Sequence, residues 1–109
     1  MGFEKPTTMD GFKDAITTAG DKKVVVQFSA EWCGACKQIQ DDLDKLSVEF
    51  EGKINFVYVD CDELEDLQEV FGVTNMPTFL VFQGPGAPID KVEGAKVENI
   101  RGLIEKHAA

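Results

Sequence analysis

The run Val24-Val25-Val26-Gln27-Phe28 constrains this chain more than any other segment. It is β-branched and does not alternate with exposed polar residues. It therefore reads as a strand covered on both faces, central in its sheet and parallel to a neighbour. Ile54 to Val59 and Phe79 to Phe82 supply two more strands. Between these runs the apolar residues switch to helical spacing. Met9, Phe12, Ile16 and Ala19 mark a helix that Gly20 closes, and Ile39, Leu43, Leu46 and Phe50 mark a long one that Gly52 stops. Leu64, Leu67, Val70 and Phe71 mark a shorter helix ending at Gly72. The turn residues Gly84 to Pro88 lead to a weaker strand at Ile89 to Val92. Val97, Ile100, Ile104 and His107 place a last helix, weakened at Gly102. An edge strand from the first residues is a further candidate, against which Pro6 counts.

The stretch from Val24 to Val59 predicts a right-handed parallel crossover, and the short connection after Phe82 predicts an antiparallel hairpin. The expected fold class is α/β: a mixed central sheet of four or five strands with four helices on both faces, in a single domain over residues 1–109. A net charge of −9 repels phosphate backbones and anionic headgroups, so neither nucleic acid nor membrane is an expected partner. No apolar run approaches the roughly 18 residues of a membrane span, and no secretory h-region precedes Pro6, so a cytoplasmic location is expected.

Three cysteines do not make a disulfide framework, but Cys33 and Cys36 form a Cys-x-x-Cys at the point where the central strand hands over to a helix. Unpaired N–H groups and the helix dipole at that point favour a Cys33 thiolate. Cys36, one turn further in and more buried, should hold its proton longer. That asymmetry suits attack by Cys33 on a disulfide, followed by displacement of the mixed disulfide by Cys36. Half of a zinc site is the competing reading. The remaining ligands would be Cys61 and His107, which the element order separates, so no metal is expected.

The segment Ala30-Glu31-Trp32-Cys33-Gly34-Ala35-Cys36-Lys37, followed by Met76-Pro77-Thr78-Phe79 and by Glu93-Gly94-Ala95, resembles the thioredoxin family. The likeness is to its small cytosolic eukaryotic type, and in element order it runs over about residues 7 to 108. The resemblance implies a thioredoxin fold and a protein-disulfide oxidoreductase with no bound cofactor beyond its own Cys33–Cys36 disulfide. It implies that Cys33 is the nucleophile, Cys36 the resolving thiol and Trp32 a flat, shielding face for substrate. Pro77 would follow a cis peptide bond and sit against the disulfide, and the Met76 backbone would pair with an extended substrate peptide. Gly34, Ala35 and Gly94 would complete the substrate surface. The implied partners are protein disulfides and an NADPH-dependent thioredoxin reductase, and the implied state is a monomer.

The chain departs from this pattern at several redox-tuning positions. Gln27 stands where thioredoxins usually carry a buried Asp that exchanges protons with the resolving thiol, and Gln40 stands where eukaryotic relatives often carry Lys. An amide cannot ionise, so exchange is expected to survive with slower resolution. Ala35 replaces the usual Pro and adds an N–H near the sulfur, which predicts a more oxidising couple. Lys37 partly offsets Glu31, whose charge opposes a Cys33 thiolate. A redox-weak, peptide-binding adaptor or chaperone is the alternative reading. Cys61 reads as a partly buried side chain at a strand end, its thiol pKa raised by Asp60 and Asp62. The acidic residues around Asp62 read as solvated faces.

Overall fold

In a computed structural model, which describes residues 2–108, the elements run β1 (Phe3–Glu4), α1 (Met9–Thr17), β2 (Lys23–Ser29), α2 (Gly34–Glu49), β3 (Ile54–Asp60), α3 (Glu65–Val70), β4 (Thr78–Phe82), β5 (Asp90–Glu93) and α4 (Val97–Ala108). The strands form one mixed sheet of order β1-β3-β2-β4-β5. The Val-rich strand β2 lies at its centre, parallel to β3 and antiparallel to β4, and β4 and β5 form the antiparallel hairpin.

Strand β2 is apolar on both faces because each face meets its own core. Val24, Val26 and Phe28 pack with Phe12 and Ile16 of α1 and Leu67 of α3. Val25 packs on the other side with Ile39, Leu43 and Leu46 of α2 and with Ile100, Leu103 and Ile104 of α4. Period-2 alternation sends Gln27 and Ser29 to this second face, where both are fully buried beneath α2. The strand thus carries polar groups into its interior only toward its C-terminal end, next to the Cys-x-x-Cys.

Several boundaries differ from the sequence expectation for physical reasons. The edge strand does form: Phe3 pairs with Phe56 in parallel register and their rings lie 5.4 Å apart. Pro6 falls two residues beyond that ladder, so its missing N–H breaks nothing. Strand β5 starts at Asp90 rather than Ile89, which donates its N–H to Val81 O at 2.7 Å but leaves its side chain exposed. Helix α2 starts at Gly34, well ahead of the first apolar marker at Ile39, because Cys33 caps it.

Candidate active site

Cys33 is the N-cap of α2, with an extended backbone (φ −82°, ψ 102°). Its Sγ accepts the Cys36 N–H at 3.2 Å, its own N–H donates to Ala30 O at 3.1 Å, and its carbonyl accepts the Lys37 N–H at 3.2 Å. The amide facing the sulfur is therefore that of Cys36 and not that of Ala35. An N-cap side chain can take the N–H two or three residues on, and here the sulfur takes the one three residues on. Cys33 and Cys36 are joined in a disulfide, their Cα atoms 5.3 Å apart. Both residues are buried, Cys36 at 3% exposure and Cys33 at 7%.

The chain brings a second segment to this disulfide from the start of β4. The Met76–Pro77 peptide is cis, and Cys33 Sγ lies 3.8 Å from Met76 O. Gly94, just past β5, donates its N–H to Pro77 O at 2.9 Å. Its φ of +100° is the reason for a glycine there, since an added Cβ would meet nothing within 4 Å. Trp32, the residue before Cys33, is 67% exposed, and its Nε1–H donates to Asp62 Oδ2 at 3.0 Å. Asp62 is thus not a merely solvated carboxylate. The signal that could have found it is strand register: β2 and β3 pair in parallel with Ser29 opposite Asp60, so the loops after both strands lie side by side.

Between β2 and α2, Gln27 is fully buried and its Nε2 donates to Ser29 Oγ at 2.7 Å and to Gln40 Oε1 at 3.2 Å. Gln40 in turn donates to Asp44 Oδ1 at 3.0 Å. The two amides are therefore in contact, as a neutral couple. Cys36 also lines a cleft of about 160 Å³ with Ala30, Glu31, Lys37, Gln40 and Tyr58. Burial, then Asp60 and Glu31, hold the Tyr58 hydroxyl above its usual pKa, and Lys5 Nζ lies 5.5 Å from the Tyr58 ring centre. Lys37 is exposed.

The two remaining metal-ligand candidates lie elsewhere. Cys61 is more buried than expected, at 1% exposure, and packs in the α1–α3 core. Burial first, then Asp60 and Asp62, push its thiol up to about 11. His107 bonds Asp90 Oδ2 through Nε2 at 2.8 Å, and its Nδ1 lies 3.2 Å from Lys23 Nζ, so it ties α4 to β5 and β2. Among the described residues, no group of three or more His, Cys, Asp or Glu side chains is placed to hold a metal ion, and no helix is long and apolar enough to cross a membrane.

The chain matches the thioredoxin family model over residues 4–106. It is 44% identical over 97 residues to a thioredoxin of Echinococcus granulosus, covering 87% of this chain and 89% of that one. It is 39% identical over 104 residues to a thioredoxin of Malassezia sympodialis, covering 94% and 96%. The crystal structure of Malassezia sympodialis thioredoxin superposes with a TM-score of 0.90 at 36% identity, covering all of this chain and 94% of that one. With nearly the whole length accounted for in this way, and with a dithiol pair closed at the head of α2, the chain belongs to the thioredoxin family and is a thiol–disulfide oxidoreductase working by dithiol–disulfide exchange.

Proposed function

We propose that Cys33 is the attacking sulfur, Cys36 the resolving one, and Trp32, Gly34, Ala35, Met76, Pro77 and Gly94 the surface that receives the substrate. The observation that carries this reading is the capping geometry. The Cys33 sulfur accepts an N–H at the positive end of a 16-residue helix, whereas Cys36 lies inside the first turn. In the reduced protein a Cys33 thiolate attacks one substrate sulfur. The substrate S–S bond breaks, and the released substrate thiolate takes up a proton. Cys36 then gives up its proton and attacks Cys33 Sγ, so the mixed disulfide breaks and the second substrate thiol leaves. The substrate gains two electrons and the chain closes its disulfide. An NADPH-dependent thioredoxin reductase is the partner that reopens it.

Gln27, Ala35 and Lys37 tune this cycle. Neutral Gln27 removes a proton acceptor from Cys36 and slows resolution, Lys37 acts on the Cys33 thiolate by its charge, and Ala35 acts by leaving the first turn without proline's restraint. The protein works as a monomeric single domain over residues 1–109 in the cytoplasm, on protein disulfides. Insulin reduction tests the roles: Cys33→Ser abolishes turnover, and Cys36→Ser accumulates a mixed disulfide on Cys33. Trapping through Cys36 instead would overturn the assignment.

A further inference from the structure

Gln27 has one amide atom too many. Its Nε2 is satisfied twice, by Ser29 Oγ and Gln40 Oε1, whereas its Oε1 is buried with no hydrogen-bond partner. An orphaned acceptor is costly, and a 180° turn of the amide is the usual remedy. Here the turn is blocked from the surface. Asp44 can only accept, so Gln40 directs its Nε2 outward to Asp44 and leaves its own Oε1 facing inward. That inward oxygen needs a donor, and Gln27 Nε2 is the donor it has. A surface carboxylate thus decides, through two amides, which atom of a buried glutamine is left unpaired.

The unpaired oxygen lies in the layer between β2 and α2. Gln27 shares its strand face with Val25 and Ser29, while Gln40 sits one turn beyond Cys36 and lines the same cleft as that cysteine. With the disulfide closed, the Cys36 sulfur carries no hydrogen. Opening it with two electrons and two protons adds an S–H donor to this layer.

We infer that the Gln27 carbonyl accepts the Cys36 S–H of the dithiol form, in a hydrogen bond that exists only while the disulfide is open, and that Asp44 orients it through Gln40. The inference rests on Cys33 and Cys36 being the redox pair. Gln27 and Asp44 are then positioning residues. They favour the dithiol over the disulfide and hold the proton on Cys36 rather than on Cys33.

The test is infrared spectroscopy of the reduced protein at mildly acidic pH, with the Cys36 S–H band assigned as the one missing from reduced Cys36→Ser, in which the Cys33 and Cys61 thiols remain. The expected result is a Cys36 band below the free-thiol frequency. Gln27→Met, which keeps shape and removes the acceptor, returns the band to that frequency. It also shifts the equilibrium with glutathione about tenfold toward the disulfide, equivalent to about 30 mV. Asp44→Ala, a surface change that remains informative if Gln27→Met fails to fold, moves both readouts the same way by less. An identical Cys36 band in wild type and either variant overturns the inference. A lowered band in a protein whose Cys36 never releases a Cys33 mixed disulfide supports it, and removes Cys36 from the resolving role.

Discussion

Restoring an acid at position 27 tests the claim that this interior is built for a neutral couple. Gln27 is wholly buried, its partners are the Ser29 hydroxyl and the Gln40 carbonyl oxygen, and no Lys or Arg is among them. In Gln27→Asp the carboxyl, one methylene shorter than the amide, gains no donor from Gln40, which keeps its Oε1 inward while Asp44 holds its Nε2. Burial without a cation raises a carboxyl pKa by about 3 units, from about 3.9 to about 7. At about 1.36 kcal/mol per unit the cost reaches about 4 kcal/mol at pH 7, a large share of a typical total of about 5–15 kcal/mol. The sign follows from proton binding: the folded state holds this proton more tightly than the unfolded one. The penalty is therefore absent below about pH 4, grows as pH rises through the unfolded pKa, and levels off above about pH 7.

Urea denaturation of the oxidised wild type and variant, at about pH 4.5 and pH 7.5, measures it. A stability difference that is the same at both pH values refutes the reasoning. Adding Gln40→Lys gives the carboxylate a cation and should recover about 2 kcal/mol at the higher pH, read as the coupling energy of a double-mutant cycle. On the proposed cycle, in which position 27 tunes Cys36, Gln27→Asp also supplies a proton acceptor, so insulin reduction should accelerate somewhere between about pH 6 and about pH 9. No acceleration across that range removes the missing acid as a cause of slow resolution.

Three further outcomes follow from other parts of the molecule. Gly102→Ala should stabilise the protein by about 1 kcal/mol in thermal unfolding, because Gly102 is helical, exposed and has nothing within 4 Å of an added Cβ. Asp90 accepts from His107, Lys106 and the Lys91 N–H, which hold its carboxyl down to about 2. Its contribution is therefore present above the unfolded pKa and lost as pH falls through about 2. Asp90→Asn should cost about 1 kcal/mol at neutral pH after screening at the exposed Lys106, and the difference from wild type should vanish by about pH 2 in chemical denaturation. Cys61, buried and with its thiol near 11, should resist iodoacetamide at about pH 8 in the folded protein and react in urea, as read by mass spectrometry.

The elements were legible because their residues report burial directly. An unbroken Val24–Phe28 run is affordable only where both faces are covered, and β2 is the central strand of the sheet. The Cys-x-x-Cys was legible because its chemistry is local: cap, first turn and sulfur lie within a few residues. Edge strand β1 was harder to read, since its two residues carry no period and depend on register with Phe56 and Val57.

What the sequence determined alone was the order of strands and helices and the position of the dithiol, both products of short-range spacing. Tertiary structure alone decided which distant groups meet there. The Met76 carbonyl against Cys33, Asp62 on the Trp32 indole N–H, and the Gln27–Gln40–Asp44 chain each join residues 13 to 43 apart or span a strand and a helix. Hydrogen-bond partners are chosen by the packing of whole elements, and no local pattern encodes that choice.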